Sequence, residues 1–257
     1  MTIKLKSGRL YTIPIKMIPL FTSHYSIGKS ILTLDHPDKQ IEGGATSVFS
    51  IAQKNNLKEI FLVENSLTGF PQALTISAEL GIQLCFGLLL KICEQDHKII
   101  VFAKNSKGCK RLNQIYSEAF AGDKECISTE NLKKFWNNKD LMLCIPFYDS
   151  FIYKNIMTFD SCTPDLSAFS PLFFLEENNL PFDNLVRQKV EAYAKSRGHD
   201  TQLVKSIYYE NQEDAEALQV YKCICSRRFG KSSLSKPNLD HFGSDEFSFE
   251  SLLKKKK

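Results

Sequence analysis

The chain has a single tryptophan, and no apolar run reaches the ~20 residues that a membrane-spanning helix needs. Its N-terminus places Lys4, Lys6 and Arg9 among polar residues, so the pattern of a secretory signal is missing. Histidine is sparse and scattered, at His24, His36, His97, His199 and His241. No tight histidine–carboxylate cluster of the kind that marks a metal site is present. Asp35-His36 and Asp96-His97 are adjacent pairs, but neighbours on a strand face opposite sides, and both read as solvated loop residues. No internal repeat is found. Net charge is only +4, which by itself calls for no nucleic-acid partner.

Cysteine, in contrast, is plentiful. Eight are present: Cys85, Cys93, Cys109, Cys126, Cys144, Cys162, Cys223 and Cys225. Several sit inside apolar runs, and with no secretory signal they read as reduced, mostly buried thiols of a cytoplasmic protein. The one close pair, Cys223-x-Cys225, has no second pair or histidines at zinc-ligand spacing, so no cofactor is expected. The 257 residues suit one large α/β domain or two small ones, with enough length to bury a core unaided.

Apolar segments alternate with helical patterns along most of the chain. Residues 1–16 read as a hairpin around Ser7-Gly8. Strands are expected at 17–23, 59–65, 82–92, 98–104, 141–147, 171–177 and 202–209. Helices are expected after Gly43-Gly44 (Val48, Ile51 and Ala52 inward), at 71–81 with Gly81 as its stop, at 106–120, and from Ser128 to near Asn138. A long helix opens at Pro181 with Leu185, Val186, Val190, Tyr193 and Ala194 inward, closed by Gly198. The last clear helix is 213–228. Runs such as FLV, CFGLLL and LFFL are apolar on both sides of the pleat, which predicts a parallel sheet with crossover helices. An open doubly wound sheet and a closed barrel fit this pattern equally. Residues 231–257 turn polar and end in Lys254–Lys257, reading as a basic tail or linker.

Three motifs reduce to structural readings. SHYSIGKS (23–30) has the Gly-Lys-Ser of a phosphate loop, but Ser23 stands where the first glycine of that loop is needed, so a turn after a strand is expected. Glu210, Glu213, Asp214 and Glu216 crowd the first turn of a helix, where acids cap and complement the dipole. Among the aromatics, Phe147, Phe173, Phe174, Tyr208 and Tyr209 read as core. Phe247 and Phe249 lie in the tail, where they are expected to dock to a partner.

The order of segments from 45 to 92 resembles a PHP (polymerase and histidinol phosphatase) domain. Val63-Glu64-Asn65-Ser66-Leu67-Thr68-Gly69 stands where that family has a strand ending in Thr-Asp-His and then a tight turn. Gly81-Ile82 and Phe86-Gly87-Leu88-Leu89 follow in order. Residues 24–34, 97–120, 173–181 and 208–224 resemble stretches of the N-terminal PHP domain of the bacterial DNA polymerase III alpha subunit. The resemblance covers about 17–250 and implies a distorted seven-stranded, TIM-like α/β barrel, here spanning 17–230.

Active members of that family bind up to three metal ions and hydrolyse phosphoesters. Carried over by position, the family's metal ligands become Leu20, Thr22, Glu64, Asn65, Leu89, Ser206 and Tyr208. Only Glu64, with Asn65, keeps an oxygen suited to a metal, too few groups to hold an ion cluster. Without an ion there is no activated water for phosphoester cleavage. The resemblance thus implies a catalytically inactive module of DNA replication, docked to a polymerase body and to a proofreading exonuclease. Two alternatives stand beside it. One is a phosphoesterase with relocated ligands, such as Glu64, Asp160, His199 and Asp200. The other is a nucleic-acid binder using the lysine-rich tail.

Overall fold

The computed structural model describes residues 17–94, 97–121, 125–158, 162–225 and 244–255. The expected hairpin at 1–16 lies outside the described residues, as do Asp96, Asp160, His241 and most of the expected tail. Seven strands close into a barrel in sequence order: β1 (Ile18–Phe21), β2 (Glu59–Glu64), β3 (Gln83–Lys91), β4 (Lys98–Ala103), β5 (Leu141–Ile145), β6 (Leu172–Leu175) and β7 (Asp200–Ile207). The chain is therefore a seven-stranded, TIM-like α/β barrel and not an open sheet. Among the described residues the helices are α1 (Val48–Lys54), α2 (Phe70–Glu79), α3 (Ser106–Phe120), α4 (Thr129–Phe135), α5 (Phe151–Met157), α6 (Asp183–Arg197), α7 (Ala215–Cys225) and α8 (Phe249–Lys255).

One strand breaks the expected all-parallel pattern. β1/β2, β5/β6 and β6/β7 pair parallel, but β4 is antiparallel to both β3 and β5. The cause is connection length. β3 ends at Lys91 and β4 begins at Lys98, too short a link for a crossover helix, so the chain can only fold back as a hairpin.

The chain divides into two compact units. The first is built on Gly87–Glu176 and Phe182–Val204. In it, Gly87 lies opposite Phe102, and a Cβ at Gly87 would stand 2.7 Å from that ring. On α6 the buried stripe is Val186, Val190 and Ala194, at fourfold spacing. Leu185, expected inward, falls beside that stripe and is 44% exposed. Gly198 closes the helix in the left-handed conformation (φ +67°), which a side chain would strain.

Two expectations are corrected in this unit. Cys93 and Cys126 form a disulfide, with Cα atoms 5.2 Å apart. The turn after β3 runs beside the segment entering α4: Cys93 N donates to Ile127 O (3.1 Å) and Ile127 N to Lys91 O (2.9 Å). Tertiary pairing thus joins cysteines 33 positions apart, which sequence spacing cannot show. His97, expected at the surface, is buried and meets Phe151 edge-on at 5.9 Å.

The second unit is built on Pro19–Phe86, Glu177–Pro181 and the chain from Lys205 onward. Ser47 caps α1 by accepting from Phe49 N (3.2 Å), and Val48, Phe49, Ile51 and Ala52 are buried. At the start of the last long helix Asp214 accepts from Asn211 N (2.9 Å), the capping role expected of that acidic cluster. Glu210 instead accepts from the Thr46 hydroxyl (2.8 Å).

The end of the chain departs from the expected loose tail. Residues 247–250 run beside 208–210: Tyr208 N donates to Phe247 O (2.9 Å), Phe249 N to Tyr209 O (3.0 Å) and Glu250 N to Glu210 O (2.9 Å). Phe247, Phe249 and Leu252 are buried. The fully buried Lys205 pairs with Glu246 at 2.8 Å, and Lys255 reaches the same carboxylate at 3.3 Å. Burial pushes the Glu246 carboxyl up, but the hydrogen bonds and charges of Lys205 and Lys255 bring it below the usual carboxylate range. A buried lysine without its acid would be costly, so this pair pins the segment in place.

Candidate functional site

The second unit gathers most of the positions that the family resemblance singles out. β2 delivers Glu64 at its last residue, where the strand gives way to the Ser66–Gly69 turn. That turn is fixed by a close approach. A Cβ at Gly69 would stand 2.7 Å from the Tyr25 ring, so the Tyr25 side chain needs glycine there. The Tyr25 hydroxyl donates to Gln72 Oε1 (2.6 Å), and Gln72 Nε2 donates to Leu34 O (3.0 Å).

Glu64 is fully buried. Its carboxylate accepts from Ser23 N (2.8 Å) and from the Ser26 hydroxyl in a short hydrogen bond. The Ser26 oxygen accepts in turn from Asn65 N (3.0 Å). Burial raises the Glu64 carboxyl to about 7, against the opposing hydrogen bonds from Ser23 and Ser26. Such a group has the proton affinity of a general acid or base, yet it is shut away from solvent and committed to the 23–26 turn. The SHYSIGKS segment is therefore a turn clamped to β2, with Ser26 N donating to Ser23 O (3.0 Å) and Lys29 N to Ser26 O (2.9 Å). His24 beside it has a buried Nδ1 that finds no hydrogen bond among the described residues.

The other mapped positions are placed as follows. Leu20 is buried on β1, and Thr22 N donates to Ile207 O (3.2 Å). Asn65 is exposed, and Ser206 is half-buried near the end of β7. Tyr208 stacks on Phe247 with ring centres 5.5 Å apart, and its carbonyl accepts from Ile31 N (3.1 Å) and the Ser30 hydroxyl (2.8 Å). Leu89, in the first unit, is half-buried opposite Ile100. Among the described residues no group of three or more His, Cys, Asp or Glu side chains could hold a metal ion.

Of the relocated-ligand set, Glu64 belongs to the second unit and His199 and Asp200 to the first. Asp160 lies outside the described residues. His199 stacks on Phe173 (5.6 Å), and its proton affinity is lowered by burial and by Arg197, against the charge of Asp200. His199 and Asp200 stand at the start of β7, the other end of that strand from Ser206.

No protein-family model matches the chain, and no curated protein matches it. Solved structures similar to it include an amidohydrolase from Chromobacterium violaceum with bound sulfate and no metal. That likeness has 12% identity, covers 75% of this chain and 87% of that one, and has a TM-score of 0.41. A protein from Bifidobacterium adolescentis described as a metal-dependent phosphoesterase is similar at 12% identity, with the same coverage and a TM-score of 0.44. At this identity no residue role passes from either protein to this chain.

Sequence reasoning missed three features: Ser23 and Ser26 as partners of Glu64, Phe247 as the cover of Tyr208, and the Cys93–Cys126 bond. The two serines flanking the His24-Tyr25 turn were the available signal for the first. The other two depend on contacts across 33 or more residues. No helix among the described residues is long and apolar enough to cross a membrane.

Proposed function

We propose that the chain is a PHP-like barrel that no longer cleaves phosphoesters and serves as a structural and protein-docking module of a family C replicative DNA polymerase. The observation that carries this reading is the state of Glu64, the one carboxylate kept at a family metal position. It is buried and already accepts from Ser23 and Ser26, so its lone pairs serve the fold. Phe247 stacked on Tyr208 supports the same reading, since an apolar ring lies against a position that would have to present a metal ligand. The lysine-rich end favours nucleic acid less than its composition suggests. Lys254 is paired to Glu250 (2.8 Å) and Lys255 to Glu246 (3.3 Å).

Two measurements test the reading. Metal analysis of protein purified without chelator should find less than one tightly held zinc, manganese or iron per chain. Two or more would favour the phosphoesterase alternative. Affinity capture with the full chain as bait should return a replicative polymerase or its proofreading exonuclease. Capture of neither, at bait levels that recover known weak partners, would remove the docking role.

A further inference from the structure

Between α5 and α6, within the first unit, lies a cavity of about 520 Å³. Phe151, Ile152, Ile156 and Tyr193 give it apolar and aromatic walls, and Lys189 and Ser196 add polar groups. One rim is formed by Asn155 and Thr163. Cys162 precedes Thr163 in the chain, and the Asn155 side chain grips its backbone on both sides. Asn155 Nδ2 donates to Cys162 O (2.7 Å), and Asn155 Oδ1 accepts from Cys162 N (2.9 Å).

The Cys162 sulfur lies 3.8 Å from Nδ1 of His97. His97 is buried, its ring packs against Phe151 at 5.9 Å, and its backbone carbonyl accepts from Ile92 N (2.9 Å). A thiol with an imidazole within reach of its proton is the central pair of an activated nucleophile, and here Asn155 fixes the backbone that carries the thiol. Cys144 and Cys109 of the first unit and Cys85 of the second are shifted the other way from an activated thiol. Burial pushes Cys144 and Cys109 up, and burial with the charge of Glu59 pushes Cys85 up to about 12, so those sulfurs stay protonated and inert. Cys162 is half-exposed instead. On the adjoining segments Lys98 is paired with Asp149 (2.6 Å) and Asp165 with Lys133 (2.8 Å), while Lys189 of α6 lines the cavity itself.

We propose that Cys162 and His97 form a nucleophilic thiol site opening on this cavity, which takes a small electron-poor electrophile with an apolar or aromatic body. With an activated alkene the sulfur–carbon bond forms as the π bond breaks. The thiol proton passes to His97 Nδ1 and from there to the carbon that received the electron pair. Nothing is oxidised or reduced.

The test is limited labelling of the full chain with N-ethylmaleimide or N-phenylmaleimide, followed by peptide mass spectrometry. Cys223 and Cys225 are half-exposed comparators in the same chain. Cys162 should react at least ~10-fold faster than either, and its rate should persist below the ~8.5 midpoint of an ordinary thiol. It should also prefer the phenyl reagent more strongly than the comparators do. Ala192→Trp, which fills the cavity, should remove that preference and leave the ethyl reaction intact. His97→Gln should return the pH profile of Cys162 to that of an ordinary thiol. Reaction at the pace of Cys223, or a profile unmoved in His97→Gln, overturns the proposal. Circular dichroism checks the fold of each variant. If His97→Gln does not fold, an ordinary-thiol midpoint for native Cys162 suffices to overturn it.

Discussion

Glu64 shows how strongly burial can change the acidity of one carboxyl. In water a glutamate is charged at neutral pH; here burial lifts its carboxyl to about 7 despite two donors aimed at it. Because the folded value lies above the unfolded one, the folded chain holds the extra proton between about 4.5 and 7. Stability is therefore fullest below 4.5, falls as pH rises through this window, and levels off above it. The gap corresponds to about 3 kcal/mol. Glu64→Gln keeps the shape, and its oxygen can still accept from Ser23 N. Urea melts from pH 4 to 8 should show the native protein losing stability on this scale, while the Gln variant stays flatter. Parallel slopes for the two proteins would mean that Glu64 does not titrate in this range.

At the scale of elements, α8 is anchored by one buried ring. Phe249 is buried, stacks on Phe21 of β1 at 5.8 Å, and sits next to the residue bridged to Tyr209. Truncating such a ring to alanine costs about 3–5 kcal/mol through lost burial and a residual cavity. Phe249→Ala should show that loss in denaturant midpoints. A loss below ~1 kcal/mol would mean that the helix is only loosely attached.

Elements are both the most and the least legible level of this sequence. LMLCI and LFFL are apolar at every position, so β5 and β6 could be placed without a structure. Strand direction has no such signature, and the reversal of β4 came only from the short Lys91–Lys98 link. FESLLKK is seven residues ending in lysine, and its composition hid an apolar spacing at Phe249 and Leu252. At the candidate site, Glu64 was legible from its place after an apolar strand. Its serine partners, 38 and 41 residues away, were not.

Across the whole chain, the Cys93–Cys126 bond ties together two points 33 residues apart, with β4 and α3 between them. A link of this span shrinks the unfolded ensemble and stabilises the fold by about 3–4 kcal/mol. Reduction by a phosphine, followed by thermal melting, should lower the midpoint by several degrees. Cys93→Ser with Cys126→Ser should match the reduced protein. A midpoint unmoved by either treatment would mean that the bond is not present in solution.

The second unit also draws its parts from distant stretches of chain. Pro19–Phe86 supplies β1, β2, α1 and α2, and α8 arrives more than 160 residues later. On a ribosome adding ~5–20 residues per second, the early portion waits many seconds before Phe249 exists to cover Phe21. During that interval the ring of Phe21 and the Glu64 clamp belong to a half-made body with its apolar side open. Until α8 seats, that face stays open to water.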